Sequence, residues 1–366
     1  MGIHCKINLK PPPNGVFLSG SVITGEIKYA VDEVTSLKQI TLSLKGIGTL
    51  RMKKRSASRH EKSKVIYRTE EYVNVKQVLL NKDNGDGNLE IGSYTTPFKF
   101  EIPERIPPSA DIFRKQGNHT LRYKVEYFIS MKFEKTAFFS FTKRFRKDIK
   151  VLSDIIPTLP RDAMIFGERK TLFQPFSSTD SIVNLKSTIL SSVVRAGDTI
   201  QFEYEIANNS HVTVKSVETK LIELIKSKKR RSHITFTKSI DGTDSKSGSI
   251  ENGKSQQMIT DIRVPEDALT ISACNLAERS YAVLITVGLP MPHMNFELTI
   301  PVEIMLKSDN VVEISGEDAP PSYWDVMCED KKELEMNKND LDVPSRLSDY
   351  NIRAKEIQKL SKYHLK

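Results

Sequence analysis

Hydrophobic and polar residues alternate with a period of two in two runs that lie far apart in the chain. The first run covers residues 23–31 and the second covers residues 200–206. A period of two is typical of a half-buried β-strand, because successive side chains of a strand point to opposite faces. Each run follows a glycine, Gly20 or Gly197. The pattern therefore predicts strands, not helices, at matching places in the two halves of the chain.

Three more short segments recur in the two halves, in the same order. Residues 36–40 correspond to residues 213–217, residues 100–104 to residues 262–266, and residues 123–125 to residues 281–283. Four correspondences in a common order indicate two copies of one domain. We therefore expect an all-β protein that consists of two tandem antiparallel β-sandwiches.

The same pattern sets the expected domain boundaries. Residues 1–152 and residues 183–306 carry the alternating runs, so we expect one β-sandwich in each range. Residues 153–182 lack alternation and contain three prolines, which predicts a connector between the domains. Residues 307–366 are polar and lose the period of two, and we expect this tail to be mostly disordered.

Composition indicates a reducing compartment. The 366 residues include three cysteines, at positions 5, 274 and 328, and an odd number this small does not form a disulfide framework. There is no apolar run of about 18 residues, the length that a membrane-spanning helix needs. The N-terminus lacks the pattern of a signal peptide. We therefore expect a cytoplasmic protein.

Positive charge is concentrated in the expected sandwiches. Residues 307–366 contain 13 acidic and 10 basic residues, so the tail has a formal charge of −3. Because the whole chain carries +9, residues 1–306 carry +12. A basic folded body favours acidic partners such as phosphorylated tails or anionic membranes.

Seven cations form two clusters, which we expect at equivalent hairpin tips of the two copies. They are Lys53, Lys54 and Arg55 in the first copy, and Lys228, Lys229, Arg230 and Arg231 in the second. One interpretation is a pair of solvated tips that prevent edge pairing between molecules. The other is a surface for anionic lipid or phosphorylated cargo. We expect no nucleic-acid partner, because no aromatic residues are interleaved with these cations for base stacking.

The tail contains one short motif with a specific physical role. Pro320 and Pro321 favour the extended polyproline II conformation, so little entropy is lost when this segment docks into an aromatic groove. Tyr323 adds a flat ring with a polar tip for an adjacent pocket. WW domains bind this pattern, whereas the alternative is a proline-rich turn with a tyrosine present by chance. Exposed Tyr323 and Trp324 are unusual in a tail without a partner, which favours WW-domain binding.

The two sandwiches and the Pro-Pro-x-Tyr tail together resemble the α-arrestins, the arrestin-domain-containing proteins. The resemblance covers about residues 1–325. It is carried by residues 15–20, 97–103, 107–109 and 121–123 in the first copy, and by residues 196–200, 208–210, Cys274 and 298–302 in the second.

The resemblance implies a fold of two immunoglobulin-like β-sandwiches side by side and the function of a non-catalytic adaptor. In this family the arrestin body engages membrane-protein cargo, a receptor or a transporter. Pro-Pro-x-Tyr motifs recruit a WW-domain HECT ubiquitin ligase, so that the cargo is ubiquitylated, endocytosed and sorted. Here the ligase-binding residues are Pro320, Pro321 and Tyr323, and the expected location is cytoplasmic, peripheral to the plasma membrane and endosomes. The chain has a single such motif, which limits avidity for tandem WW domains.

Two other functions stay open from the sequence. Cys274 could serve a redox or scaffold arrestin of the thioredoxin-binding type without ligase recruitment, although a lone cysteine in an apolar strand is more often simply buried. A sandwich-fold hydrolase with a site spread over loops is the second alternative. The histidines show no metal-ligand spacing, and no nucleophile elbow is present. We therefore expect no enzyme, no catalytic residues, no metal and no cofactor.

Overall fold

All regular elements that the structure describes are β-strands. A computed structural model describes residues 2–12, 14–55, 63–81, 88–135, 142–173, 181–228 and 234–307. Residues Met1–Leu306 form one compact unit. The alternation of apolar and polar residues explains this architecture, because each strand buries one face and exposes the other. The expected all-β class is confirmed.

The first sandwich contains a three-stranded sheet in the order β1-β3-β7 and a larger sheet in the order β10-β9-β4-β5. Strand β6 pairs with β4, β8 pairs with β9, and β2 and β11 form a short parallel pair. The strands are β1 (Ile3–Leu9), β2 (Phe17–Leu18), β3 (Val22–Val31), β4 (Thr35–Lys54), β5 (Lys64–Asn81), β6 (Asn88–Leu89), β7 (Gly92–Glu101), β8 (Ala110–Gln116), β9 (His119–Lys135), β10 (Lys143–Ile149) and β11 (Val151–Leu152).

The second sandwich contains a four-stranded sheet in the order β12-β13-β15-β19 and a larger sheet in the order β14-β21-β20-β16-β17, with β18 paired to β16. The strands are β12 (Met164–Leu172), β13 (Ser181–Ile189), β14 (Val193–Arg195), β15 (Thr199–Asn209), β16 (Ser216–Ser227), β17 (Ile234–Ser239), β18 (Ser245–Lys246), β19 (Ser255–Arg263), β20 (Ala277–Gly288) and β21 (Phe296–Met305).

The topology confirms the internal duplication. In the first copy β3 pairs with β1 and β7, and in the second copy β15 pairs with β13 and β19. Likewise β4 lies between β5 and β9, and β16 lies between β17 and β20. The recurring segments therefore fall on equivalent strands, all paired antiparallel. This agreement supports tandem sandwiches of one design.

The structure differs from the expectation in the segment 153–182. Strand β12 lies within it and pairs antiparallel with β13 along nine residues of each strand. The alternation is weak because β12 is an edge strand on which only Phe166 and Leu172 are buried, while Ile165 is exposed. An edge strand has a neighbouring strand on one side only, so fewer of its side chains are buried and its sequence needs fewer apolar residues. The expected connector thus contains a strand of the second sandwich.

The hydrophobic core continues from the first sandwich into the second. Tyr123 of β9 is 1 % exposed and belongs to the same buried cluster as Ile225 of β16 and Phe236 of β17. Burial of large apolar side chains is the main favourable term in folding, at about 25 cal/mol per Å². The shared cluster therefore stabilises the contact between the two sandwiches.

Candidate functional site

The hairpin of β4 and β5 carries the first predicted basic cluster. Lys53 and Lys54 are the last residues of β4, and Arg55 follows directly. The backbone N–H of Arg55 donates to the carbonyl of Asn118 at 2.8 Å, which holds the end of β4 against the β8–β9 turn. Lys54 and Arg55 are exposed. The antiparallel register thus places these three cations together at one end of the central sheet.

A cleft of about 250 Å³ lies beside this tip, at the junction of the two sandwiches. Lys53, Lys54 and Lys64 line it from the first sandwich. Ile234 and Phe236 line it from β17 of the second sandwich. Cations at the rim and apolar side chains within suit a ligand that combines an anionic group with an apolar part.

His119 also lines this cleft, at the start of β9. His119 and Phe236 could not be identified as site residues from the sequence, because long-range strand pairing brings His119 to the cleft and packing between the two sandwiches brings Phe236 there. Lys54 lies opposite both Lys64 and His119 in the registers of β4 with β5 and β9. Only this long-range register places a histidine among the lysines.

Lys228 of the second basic cluster is turned toward its own sandwich. Its ammonium group donates to the carbonyl of Cys274 at 3.0 Å and lies 3.8 Å from the carboxylate of Glu278. The Arg68 guanidinium of the first sandwich donates to the Lys228 carbonyl. Lys228 therefore contributes to the contact between the two sandwiches, and its side chain is less available to bind a ligand than that of Lys53 or Lys54. The other three cations of this cluster, at positions 229–231, lie outside the described residues.

A larger cleft, of about 430 Å³, lies between β1 and β10 of the first sandwich. Lys6, Lys147 and Lys150 line it. The one carboxylate in its lining, Asp148, is paired with the guanidinium of Arg146. This second basic cleft was missed by the sequence analysis, because residues 6 and 147 become neighbours only when β1 packs beside β10.

A buried ionic triad joins the two sandwiches. Glu223 of β16 is fully buried, and Arg114 of β8 and Arg279 of β20 both donate to its carboxylate from their Nε atoms at 2.6 Å. The two arginine side chains are 23 % and 18 % exposed. A buried carboxylate without partners would be costly, and here two charge-assisted hydrogen bonds offset that cost. The triad therefore stabilises one arrangement of the sandwiches. We call these residues the Glu223 triad.

Cys274 lies at the same junction, in the loop from β19 to β20. It is 6 % exposed, and its thiol donates to the carbonyl of Ala277. The next residue, Asn275, donates to Glu70 of the first sandwich from its backbone N–H at 3.0 Å and from its side chain at 2.6 Å. Cys5 is half-buried, and burial raises the pKa of its thiol to about 11. Cys274 is therefore not accessible to a redox partner, and the raised pKa of Cys5 disfavours the reactive thiolate.

The Pro-Pro-x-Tyr motif, with Pro320, Pro321 and Tyr323, lies outside the described residues. In the described ranges, no helix is long and apolar enough to cross a membrane. The same ranges hold no group of three or more histidine, cysteine, aspartate or glutamate side chains that could bind a metal ion.

Both sandwiches match known domain families. Residues 5–156 match the model of the arrestin (or S-antigen) N-terminal domain, and residues 179–308 match that of the arrestin (or S-antigen) C-terminal domain. No curated protein matches the chain. The two domain matches together span well over half of the 366 residues, in the order and with the spacing of the two β-sandwiches. The chain therefore belongs to the arrestin family.

Proposed function

We propose that this arrestin-family chain is a non-catalytic trafficking adaptor of the α-arrestin type. Its body binds membrane-protein cargo, a receptor or a transporter. Its tail recruits a WW-domain HECT ubiquitin ligase, so that the cargo is ubiquitylated, endocytosed and sorted. The protein acts in the cytoplasm, peripheral to the plasma membrane and endosomes, without a cofactor or a nucleic-acid partner.

The observation that carries this proposal is the combination of two arrestin domains with a Pro-Pro-x-Tyr motif. The last strand ends at Met305, and Pro320 follows fifteen residues later. Arrestin domains support an adaptor or scaffold role in general. The motif adds a ligand for a WW domain, whose aromatic groove binds polyproline II segments. A body for cargo and a tail for a ligase are the two parts that an adaptor needs.

The basic clefts support a contact of the body with anionic lipid or phosphorylated cargo. Lys53, Lys54 and Arg55 remain the proposed contact residues in the first sandwich. Lys229, Arg230 and Arg231 remain candidates in the second sandwich, while Lys228 is engaged with Glu278 and the Cys274 carbonyl. Clustered lysine and arginine side chains attract phosphate groups of either kind.

Burial of Cys274 argues against a redox function. A thiol at 6 % exposure, bonded to a backbone carbonyl, is not accessible to a disulfide-exchange partner. The loop around it contacts the first sandwich through Asn275 and Glu70. Cys274 therefore has a structural role at the junction, and the adaptor proposal does not depend on it.

Affinity capture of the full chain from cells tests the adaptor proposal. Tyr323→Ala removes the ring that a WW domain binds, whereas Tyr350→Ala removes a tail tyrosine outside the motif and serves as the matched control. We expect wild type and Tyr350→Ala to capture a HECT ligase together with ubiquitylated membrane proteins. Tyr323→Ala should capture membrane proteins without the ligase. Equal capture of the ligase by all three proteins would contradict the proposal.

A further inference from the structure

Four cations from four adjacent strands lie on the outward face of the β10-β9-β4-β5 sheet. They define what we call the basic face: Lys45 on β4, Lys76 on β5, Lys132 on β9 and Arg144 on β10. The basic face is separate from the hairpin tip, because Lys45 and Lys53 are eight residues apart on β4. At about 3.3 Å per residue, that distance is roughly 26 Å.

Strand register brings these cations together. Arg144 lies directly opposite Lys132. In the next row of the sheet, Ser43 of β4 lies opposite Ser130 of β9. On the other side of β4, Ser43 lies opposite Lys76 of β5. Since side chains two residues apart share a face of a strand, Lys132 and Ser130 are on one face, as are Lys45 and Ser43. The four long side chains thus surround two serines.

The two serines form the floor of the basic face. Ser43 is 6 % exposed and Ser130 is 4 % exposed, although both lie on an outward face. The Ser43 hydroxyl donates to the Ser130 carbonyl at 3.4 Å. Small side chains become buried in this way when longer neighbours cover them. The outer surface here therefore consists mainly of lysine and arginine side chains.

Negative charge does not balance the basic face. Lys132 forms an ion pair with Glu134. Among the residues that the structure describes, no carboxylate pairs with Lys45, Lys76 or Arg144. Burial lowers the pKa of Lys132, and repulsion from Arg144, Lys45 and Lys76 lowers it further. In the neighbouring row Arg146 lies opposite Ser130 and pairs with Glu126 and Asp148. With these residues included, five cations face three carboxylates, which leaves a net charge of +2 that an anionic partner would stabilise.

The shape of the basic face selects a planar partner. Its cations lie on a pleated sheet surface and extend across four strands, about 14 Å at the usual strand spacing. Val78, which is 51 % exposed, lies opposite Thr41 on the same face, next to the row of Lys76. Exposed apolar and cationic side chains together match the headgroup region of an anionic bilayer.

We infer that the basic face docks the arrestin body on an anionic membrane, with phosphatidylserine-type headgroups as the opposing charge. This inference rests on the proposed peripheral location and names the surface that produces it. The contact orients the large sheet of the first sandwich toward the bilayer. It leaves the cleft between β1 and β10 and the junction cleft accessible to a protein ligand.

Vesicle sedimentation with the full chain tests this inference. The vesicles contain phosphatidylcholine with or without phosphatidylserine. Lys45→Glu/Lys76→Glu/Arg144→Glu reverses three unpaired cations and leaves Lys132 with Glu134. The control, Lys99→Glu/Lys186→Glu/Lys254→Glu, makes the same change in net charge at exposed positions away from the basic face. Loss of about 1 kcal/mol per cation predicts partitioning at least about 100-fold weaker for the first variant. The control variant should change vesicle partitioning far less.

Three further arms make the outcome decisive. Lys76→Ala/Arg144→Ala is the milder variant if the charge reversals lower the urea midpoint, and it should still weaken partitioning about tenfold or more. Tyr323→Ala should partition like wild type, so a failure of ligase recruitment is distinguishable from a failure of docking. Equal partitioning of basic-face and control variants would overturn the inference. In the third arm, binding of a phosphoserine peptide is measured for the same variants. If the basic-face variants lose peptide binding while their vesicle binding is unchanged, the inference is also overturned, because the basic face then binds a phosphorylated protein.

Discussion

Gly20 and Gly197 occupy the same position in the two sandwiches, just before the alternating runs that became β3 and β15. Their φ angles are +78° and +88°, in the left-handed region that side chains disfavour. A Cβ atom at Gly20 would lie 3.2 Å from Glu104 Cγ, and one at Gly197 would lie 3.6 Å from Glu266 Cγ. Each glycine therefore permits a turn that both copies need.

Gly197→Ala should destabilise the protein by about 1–2 kcal/mol, because alanine is strained at positive φ. Gly248→Ala is the matched control, since a Cβ atom there has open space and the φ angle is ordinary. Urea denaturation of the full chain measures both. An equal and small change in the two midpoints would contradict the proposed role of the turn.

Gly46 and Gly48 of β4 have a different explanation. Both glycines lie within the strand, not in a turn. A Cβ atom at Gly46 would clash with the ring of Tyr127, and one at Gly48 would clash with the ring of Tyr72. These contacts cross between strands, so the sequence alone could not assign them.

At the scale of elements, β16 shows how one polar residue fixes the contact between two sandwiches. Its inward positions carry Val217, Leu221 and Ile225 together with the small polar residues Thr219 and Ser227, and Glu223 is the one charged residue among them. Arg114 and Arg279 reach this carboxylate from β8 and β20. A single charged residue at an inward position is visible in the sequence and was a missed signal. Its partners were not visible, because they lie on other strands and one is in the other sandwich.

Glu223→Ala should lower the free energy of unfolding by about 3–5 kcal/mol, because it leaves two mostly buried guanidinium groups without a counterion. Glu218→Ala on the same strand is the control. Glu218 is 45 % exposed and pairs with Lys246 at 2.6 Å, a surface ion pair worth less than about 1 kcal/mol. Similar losses for both variants in urea denaturation would show that the Glu223 triad does not stabilise the junction.

The β4–β5 hairpin tip predicts a separate, salt-sensitive binding effect. Lys53→Glu/Lys54→Glu should weaken binding of a phosphoserine peptide or of phosphatidylserine vesicles by about tenfold or more. The difference from wild type should shrink as salt rises, because the Debye length falls to about 8 Å at physiological ionic strength. Fluorescence titration at two salt concentrations measures this, with Lys99→Glu/Lys254→Glu as control. Unchanged binding would contradict a binding role and indicate that Lys53 and Lys54 are only solvated residues of the hairpin.

Much of the fold was predictable, because period-two alternation marks a buried face regardless of what covers it. Ile27 and Ile206, for example, were expected to be buried in strands and are fully buried. Strand β12 was not predictable, because only Phe166 and Leu172 are buried in this edge strand and two positions do not form an alternating pattern. The Lys53 cluster was found from composition. The cleft beside it was not, because His119 reaches it through long-range strand pairing and Phe236 through packing between the sandwiches.

At the scale of the whole molecule, charge divides the chain into a basic body and an acidic tail, for which we propose different partners. Residues 1–306 carry a formal charge of +12 and the tail carries −3. The body presents basic clefts and the basic face, which favour anionic surfaces. The tail presents a neutral aromatic ring between prolines and acidic residues, which favours a WW groove. In the adaptor account, the body selects the cargo and the tail brings the ligase to it.

The central claim is that Tyr323 recruits the ligase, and titration of an isolated WW domain with the full chain tests it most directly. We expect a Kd near the micromolar range, about −8 kcal/mol at 1 μM, because a short single motif must be ordered on docking. Tyr323→Ala should remove most of this affinity, and phosphorylation of Tyr323 should do the same by adding charge to the ring. Ser322→Ala should bind like wild type. Binding of Tyr323→Ala with wild-type affinity would contradict the account.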